Sequence, residues 1–325
     1  MKLSVHVESW PAARPFRITG REWTSFDSVV VELEQGGAVG RGEGLGVYYL
    51  DETPASMTAQ VEAIAGRIEA GIDRAALQSL LPPGGARNAV DCALWDLEAK
   101  RSGRRAWELA SVAPRVLETV YTIGIEATPE AMAGHAAAVP QQPLLKVKLD
   151  GTQPLERMQA IHQARPDARL VVDANQGWTF EQLKALAPAF ADLGVQMIEQ
   201  PLPRGGDAAL EGYRAPLPLC ADESCLHLGE LGQAARRYQM INTKLDKTGG
   251  LTHALDLARA ARARGLGLMV GCMAGSSLAM APAVAVGWLC DLVDVDGPLL
   301  QKRDRLNGIR YDRGQVSVFG PELWG

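Results

Sequence analysis

Length, composition and charge set the first limits on what this chain can be. The sequence has 325 residues, which is enough for one large domain or two ordinary ones. Its hydrophobic content of 47% and charged content of 22% are typical of a soluble globular protein, and the net charge of −5 gives no sign of a polyanion partner. We therefore expect no nucleic-acid binding.

The N-terminus and the cysteines predict a cytoplasmic location. Residues 1–8 contain no apolar core of signal-peptide length. The cysteines are odd in number and form no Cys-x-x-Cys pair, which suits a reducing compartment. They are Cys92, Cys220, Cys225, Cys272 and Cys290.

Residues 1–115 read as a small α+β domain. A strand over Ser28–Glu34 is followed by the hairpin signal Gln35-Gly-Gly37. The glycine-rich stretch Val39–Gly46 has no Gly-Lys-Ser/Thr ending, so we interpret it as a strand end or loop, not as a phosphate loop. Apolar spacing predicts two amphipathic helices, Pro54–Ala70 and Ala86–Arg101.

A repeating pattern dominates the middle of the chain. Apolar runs that end in a charged residue recur roughly every 22–26 residues, and helical spacing fills the intervals. The charged residues are Lys148, Asp173, Glu199, Asp222 and Lys244, and two further apolar runs, Leu266–Cys272 and Leu292–Asp296, complete the series. This period predicts an α/β fold, a (β/α)7β TIM-like barrel over residues 116–297, with the charged residues at the C-terminal strand ends.

Two remaining stretches complete the layout. Gly265–Cys290 carries no charged residue, but its glycines, serines and proline predict a buried strand, a loop and a buried helix, so we expect no membrane span. After Asp296, short strands over Gly308–Asp312 and Gln315–Phe319 predict that segment 298–325 returns to the first domain.

Asp173, Glu199 and Asp222 form the first candidate site. Carboxylates on successive strand ends repel one another, so an assembled trio requires a cation. A ligand set of oxygens alone suits Mg²⁺, or Mn²⁺, and not zinc, which prefers nitrogen and sulfur. The alternative is a barrel whose strand ends carry charges by chance.

Lys148 and Lys244 lie two strand ends from Glu199, one on each side. This arrangement fits proton removal beside a carboxylate, with one lysine acting on each face of the carbon and the metal stabilising the enediolate. We expect nearby cations to lower the pKa of these lysines toward neutrality.

Several motifs carry a family resemblance over nearly the whole chain. The motifs at the strand ends, together with the helix Arg87–Leu97, resemble those of the muconate-lactonising subgroup of the enolase superfamily. In that superfamily a lysine acts as base and Mg²⁺ stabilises the enediolate. The strand-end motifs are Lys146-Val-Lys148, Asp173-Ala-Asn175, Glu199-Gln-Pro201, Ala221-Asp-Glu-Ser224 and Lys244. Three more are similar to bacterial dipeptide epimerases that act on L-Ala-D/L-Glu, namely Asn242–Leu251, Gly271-Cys-Met273 and Asp294-Val-Asp-Gly-Pro298.

The resemblance implies a function and further site residues. The expected activity is epimerisation of the C-terminal residue of an L-Ala-L/D-Glu type dipeptide, in murein peptide recycling, by a homo-oligomer with residues 1–115 as a capping domain. Asp294 and Asp296 would bind the dipeptide ammonium and Lys146 its carboxylate. Thr122 and Cys272 would contact the dipeptide backbone.

One position departs from the family pattern and leaves specificity open. Members that take Glu carry an arginine in the mobile loop of the first domain, where this chain has Trp23, with Arg21 two residues away. An apolar second residue is therefore an alternative to Glu. A cycloisomerase or an o-succinylbenzoate synthase is disfavoured, because their substrates lack an ammonium. A non-catalytic dipeptide-binding protein is disfavoured because both lysines and all three acids are present.

Overall fold

The computed structural model describes residues 1–325 and begins with an antiparallel sheet of three strands in the order β1-β2-β3. These are β1 Lys2–Ile18, β2 Arg21–Gln35 and β3 Ala38–Leu45. The turn Gly36-Gly37 has positive φ at both residues, as a two-residue hairpin requires. The strand predicted over Ser28–Glu34 begins earlier, at Arg21, so Trp23 lies in β2 beside the β1–β2 turn.

Five helices follow this sheet. They are α1 Pro54–Ala63, α2 Ala65–Glu69, α3 Arg74–Leu80, α4 Gly85–Ser102 and α5 Ala106–Leu109. The Thr53 side chain caps α1 by accepting from the Ser56 amide. The helix predicted over Pro54–Ala70 is interrupted at Ile64, which leaves helical geometry, whereas the prediction for α4 is confirmed within one residue at each end.

The glycines of β3 allow the sheet to touch α4 backbone to backbone. A Cβ placed on Gly40, Gly42 or Gly44 would lie only 2.1–2.3 Å from a carbonyl oxygen of α4. No other residue type can make this approach. The glycine-rich stretch is therefore a full strand with a packing role.

Eight parallel strands form the second sheet, in the order β12-β11-β10-β9-β8-β7-β6-β5. They are β5 Tyr121–Ile123, β6 Leu144–Lys148, β7 Arg169–Asp173, β8 Val195–Glu199, β9 Leu219–Ala221, β10 Met240–Lys244, β11 Gly267–Gly271 and β12 Leu292–Val293. The sheet is preceded by β4 Leu117–Glu118, which belongs to another sheet. The strands predicted from the charged run ends are confirmed, and the first strand, β5, completes the set.

Helices on the outside connect most of these strands. They are α6 Pro129–Ala137, α7 Pro154–Ala164, α8 Phe180–Asp192, α9 Leu231–Arg237, α10 Leu245–Thr248, α11 Leu251–Ala263 and α12 Ser277–Gly287. Between β8 and β9 there is only one short 3₁₀ turn, Ala208–Leu210. The uncharged stretch Gly265–Cys290 forms β11 and α12, as predicted, and none of the helices has both the length and the apolar character needed to span a membrane.

A buried apolar cluster fills the interior of the parallel sheet. Leu144 and Met240 begin their strands and Val120 precedes β5, whereas the other members, Val171, Met197, Cys220 and Met269, lie in the middle of theirs. At the sheet edges, the Val120 amide donates to the Val293 carbonyl at 2.9 Å. Because packed side chains fill the middle of the sheet, a ligand has room only beyond them, where the strands finish.

The C-terminal segment contacts both parts of the molecule. Strands β13 Tyr311–Asp312 and β14 Gln315–Val316 form a small antiparallel sheet with β4. Further on, the Trp324 indole donates to the Cys92 carbonyl of α4 at 3.0 Å. Before these strands in the chain, Arg305 pairs with the buried Glu43 of β3 at 2.9 Å. These contacts hold the antiparallel sheet over the strand ends.

Candidate active site

The sheet order brings the predicted charged residues together. Strands β6 to β10 are consecutive neighbours, so their last residues form one row. Along it lie Lys148, Asp173, Glu199, Asp222 and Lys244, with Asp222 directly after β9. All three carboxylates are wholly buried, and each lysine is almost so.

Each predicted base is paired with the acid beside it. Lys148 Nζ lies 2.6 Å from Asp173 Oδ2, and Lys244 Nζ lies 2.7 Å from Asp222 Oδ2. Glu199 separates the two pairs. The lysines therefore occupy opposite sides of the acid trio, as the strand spacing predicted.

Lys146 contacts more acids than any other residue of the site. Its Nζ lies 2.7 Å from Glu199 Oε2, 2.7 Å from Asp294 Oδ2 and 3.1 Å from Asp173 Oδ2. It leaves β6 on the same side as Lys148, as period two requires.

The charges shift each other's pKa values. Burial raises the pKa of Asp173, but Lys148 and Lys146 outweigh it and lower that pKa to about 2. Burial also raises the pKa of Asp222, but the charge of Lys244 lowers it more, so that the pKa is held well below its usual range. Glu199 behaves differently, since burial and Asp173 together raise its pKa.

The expected fall in lysine pKa is not seen for Lys244. Burial lowers the pKa of Lys244, but attraction to Asp222 and Glu199 outweighs it, and the pKa lies well above its usual value. The same balance, with Asp294 as the strongest partner, raises the pKa of Lys146. The expectation overlooked that Lys146 and Lys244 each have a carboxylate oxygen 2.7 Å from the ammonium.

The predicted ammonium site adjoins Lys146. Asp294 Oδ2 is paired with Lys146, and Asp296 Oδ2 accepts from the Thr122 amide at 2.6 Å. Carboxylate oxygens of both acids and the Cys272 sulfur lie within 4.8 Å of one another. Burial and the neighbouring Asp294 raise the pKa of Asp296 to about 8. Burial raises the pKa of the Cys272 thiol well above its usual value, which disfavours the reactive thiolate.

A cavity of about 120 Å³ lies over the strand ends and is bounded by both parts of the chain. The parallel sheet supplies polar groups, among them Thr122, Lys146, Lys148, Lys244, Asp294 and Asp296. The antiparallel sheet and the turn after it supply a mainly aromatic wall of Phe16, Ile18, Trp23, Phe26, Leu45 and Tyr48. An apolar cavity with a few convergent polar groups is the usual form of a small-molecule site.

Trp23 and Arg21 occupy different places relative to this cavity. The Trp23 ring lines it and packs edge-on against Tyr48, with ring centroids 5.3 Å apart. Arg21 is exposed, and its guanidinium carbon lies 4.8 Å from the centroid of the Tyr48 ring, outside the cavity lining.

Three buried residues near the acids were not singled out from the sequence. Asn242 Nδ2 donates to Glu199 Oε1 at 2.6 Å, and Lys247 Nζ lies 2.6 Å from Asp222 Oδ1. Glu223 is wholly buried, and neither of its carboxylate oxygens has a hydrogen-bond partner. The one available signal was that all three fall within motifs of the family resemblance.

Comparison with known proteins identifies the family. The model of the mandelate racemase / muconate lactonizing enzyme N-terminal domain matches residues 1–110, and the enolase C-terminal domain-like model matches residues 131–316. The chain belongs to the mandelate racemase / muconate lactonizing enzyme family of the enolase superfamily, which confirms the resemblance of its motifs.

Individual relatives show which members of the family this chain is similar to. The L-Ala-D/L-Glu epimerase of Escherichia coli K12 is 44% identical over 319 residues, which cover 97% of this chain and 99% of that protein. An N-acetyl-D-glutamate racemase of a Pseudoalteromonas species is 42% identical, over 91% and 95% of the two chains. A solved enolase family member from Agrobacterium tumefaciens, with homology to dipeptide epimerases, has sodium and L-Ala-L-Glu bound. It is 42% identical, covers 99% of both chains and has a TM-score of 0.97.

Proposed function

We propose that this protein is a Mg²⁺-dependent dipeptide epimerase that inverts the α-carbon of the C-terminal residue. The observation that carries this proposal is the placement of Lys148 and Lys244 on opposite sides of one cavity, separated by the acid trio. Two amines that face each other across a bound α-carbon can remove a proton from one face and return one to the other. The similarity to L-Ala-D/L-Glu epimerase supports the same activity.

Asp173, Glu199 and Asp222 would hold the metal. The donor set fits a hard divalent cation, because three buried carboxylates converge without a histidine or thiol among them. Mg²⁺ is the natural choice and Mn²⁺ the alternative. When bound, the metal neutralises negative charge that develops on the substrate carboxylate and weakens the hold of the acids on the lysines.

The lysines carry out the proton transfers. A neutral Lys148 takes the α-proton from one face, and the ammonium of Lys244 donates to the other; in the reverse reaction the roles exchange. Lys146, whose pKa lies well above its usual value, stays charged and binds the substrate carboxylate.

The Asp294 and Asp296 pair would read the free amino group of the dipeptide. Asp294 already shares one oxygen with Lys146, and Asp296 accepts from Thr122, so each retains a second oxygen for a ligand ammonium. Thr122 and Cys272 border the dipeptide backbone. The aromatic wall that includes Trp23 surrounds the side chain of the second residue.

A second candidate is a racemase of N-acyl amino acids. One relative, at 42% identity, is an N-acetyl-D-glutamate racemase, whose substrate has no free ammonium. Asp296, with its pKa raised to about 8, could in its protonated form donate to an acyl carbonyl. The dipeptide is favoured because two buried acids side by side gain most from a cation.

We further propose the wider setting expected from the sequence. The eight parallel strands form a closed (β/α)7β barrel over residues 116–297, supported by the Val120–Val293 hydrogen bond, with residues 1–115 as the capping domain and 298–325 returning to it. The protein acts as a cytoplasmic homo-oligomer in murein peptide recycling.

Deuterium uptake tests the activity directly. In D₂O with Mg²⁺, the enzyme should introduce one deuterium at the C-terminal α-carbon of L-Ala-L-Glu or a related dipeptide, read by mass spectrometry. N-acetyl-L-Glu, offered in parallel, should exchange far more slowly. Rapid exchange of N-acetyl-L-Glu alone would favour the second candidate, and no exchange with either would point to a binding protein.

A further inference from the structure

The three carboxylates share a two-sided arrangement. One oxygen of each faces a lysine that lines the cavity: Asp173 Oδ2 faces Lys148, Glu199 Oε2 faces Lys146, and Asp222 Oδ2 faces Lys244. The other oxygen of each accepts from a second group, which we call the rear donor; those of Glu199 and Asp222 lie outside the cavity lining. Asp173 Oδ1 accepts from the backbone amide of Asn175 at 2.9 Å. Glu199 Oε1 accepts from the side-chain amide of Asn242 at 2.6 Å, and Asp222 Oδ1 accepts from the Lys247 ammonium at 2.6 Å. Each carboxylate is thus fixed in rotation, with one oxygen turned to the cavity.

Lys247 is the only charged group among these rear donors. It lies in the four-residue helix α10, its side chain is wholly buried, and it does not line the cavity. Besides Asp222 Oδ1, its ammonium donates to the carbonyls of Asp222 at 2.7 Å, Asn242 at 2.7 Å and Cys225 at 3.2 Å. Because all its donors are used, Lys247 cannot turn toward a ligand. The one acid that it pairs with is Asp222.

Asp222 therefore stands between two lysines with different tasks. Lys244 Nζ reaches Oδ2 from the cavity side, and Lys247 Nζ reaches Oδ1 from the rear. Without Lys247, the carboxylate of Asp222 would be free to rotate, and Lys244 would be its only cation. A ligand carboxylate with a fixed plane presents the same oxygen to a metal every time, which is the usual effect of hydrogen bonds made behind a metal ligand.

We propose that Lys247 is a positioning residue that sets the orientation of Asp222 for metal binding and leaves Lys244 free to serve as a base. This inference rests on the proposed function, because it takes Asp222 as a metal ligand. The same contacts also tie α10 to the loop after β9, so the alternative is a purely structural role.

Metal affinity separates the two roles. We would strip the full-length protein with a chelator and titrate it with Mn²⁺ alone, following free Mn²⁺ by electron paramagnetic resonance. Lys247→Met should weaken Mn²⁺ binding about tenfold to a hundredfold, the usual loss when such a rear hydrogen bond is removed. Lys247→Gln, whose amide can still donate to Asp222, should lose less, and it carries the test if the Met variant does not fold.

Arg87 supplies a matched control. Its buried guanidinium holds the same helix from the other side, donating to the carbonyls of Thr248 at 2.6 Å and Gly249 at 3.1 Å, and it touches none of the three acids. Arg87→Met should lower the unfolding temperature as Lys247→Met does, yet keep the Mn²⁺ affinity. Equal weakening of Mn²⁺ binding in both variants, or none in either Lys247 variant, would overturn the inference.

One more variant distinguishes failure of the positioning role from failure of the proposed metal site. Asp222→Asn should weaken Mn²⁺ binding at least as much as Lys247→Met. If Asp222→Asn binds Mn²⁺ as the unmodified protein does, the proposed metal site is wrong. If Asp222→Asn fails to bind while the Lys247 variants bind normally, the metal site stands and only the positioning role is rejected.

Discussion

Lys146 and Asp294 form a buried ion pair, with Nζ and Oδ2 2.7 Å apart, that joins two regions of the site. The same ammonium contacts Glu199 in the acid trio at 2.7 Å. The Lys146 charge that faces the acids proposed to hold the metal is therefore shared with Asp294, one of the acids that would bind the substrate ammonium. Asp296, which has no such lysine partner, is the member of the pair with most to gain from a bound cation.

From this we predict that Asp296→Asn lowers kcat/KM for L-Ala-L-Glu by on the order of a hundredfold or more, because a buried ammonium loses its counter-ion. The Asn oxygen can still accept from the Thr122 amide, so the fold should persist. N-acetyl-L-Ala-L-Glu should be an equally poor substrate of the unmodified enzyme. Equal kcat/KM for the free and acetylated dipeptides would contradict the assignment.

Substitution of each of the two lysines should impair exchange with a different enantiomer. Lys148→Ala should lose α-proton exchange with one enantiomer of the C-terminal residue far more than with the other, and Lys244→Ala should show the reverse. Each variant retains the base on the remaining face. Deuterium exchange of L-Ala-L-Glu and L-Ala-D-Glu, followed separately, measures this. Equal losses for both enantiomers in both variants, with unchanged near-UV circular dichroism, would argue against two bases.

Chelation should abolish turnover, and Mg²⁺ or Mn²⁺ should restore it. The reason is that a divalent cation stabilises more negative charge on the substrate carboxylate than the single ammonium of Lys146 can. Asp173→Asn should need more Mg²⁺ for half-maximal activity. Ca²⁺, which prefers more ligands and longer distances, serves as the control and should restore little. Full turnover after exhaustive chelation would remove the metal from the mechanism.

Specificity for the second residue should depend on Trp23. Because the indole lines the cavity and Arg21 lies outside it, L-Ala-L-Phe and L-Ala-L-Leu should compete well with L-Ala-L-Glu. Trp23→Arg should raise the preference for Glu over Phe by about ten- to a hundredfold, the scale of a charge-assisted contact. Arg21→Ala is the matched control and should leave the ratio unchanged. If Arg21→Ala instead removes activity on Glu, then Arg21 turns inward and reads that side chain.

Asp246 should make folding stability depend on pH. Burial raises its pKa to about 7, although its carboxylate accepts from the Leu45 amide and from Asn88. The folded protein keeps this proton at a pH where the unfolded chain has released it, so the stability that this group contributes is full below about pH 4 and is lost as pH rises to about 7. Asp246→Asn keeps an acceptor and removes the titration.

Urea unfolding between pH 4 and pH 8 tests this. The free energy of unfolding of Asp246→Asn should exceed that of the unmodified protein at pH 8 by roughly 4 kcal/mol more than it does at pH 4, at about 1.4 kcal/mol for each of about three pKa units. Since other acids titrate equally in both proteins, the difference isolates this residue. A difference that stays constant across the range would show that Asp246 is ionised in the folded state.

The positions of strands β6 to β10 could be predicted from sequence because each ends in, or is directly followed by, a charged side chain that a buried strand would not otherwise carry. Strand β5 gave no such signal, since it spans only Tyr121–Ile123. The role of Lys247 also lay beyond prediction. Its contact with Asp222 depends on how α10 turns back beneath β9, and a lysine three residues after Lys244 reads as a solvated helix residue until that turn is seen.

The contact of β3 with α4 through glycines has a consequence for how this enzyme can diverge. Positions 40, 42 and 44 accept no side chain, so the platform that carries the aromatic wall cannot drift without loss of the fold. Trp23, by contrast, sits half-buried at the end of a hairpin and rests on other side chains. New substrates can therefore be acquired through substitutions in the β1–β2 hairpin while the row of charged strand ends and the glycine-packed platform are inherited unchanged.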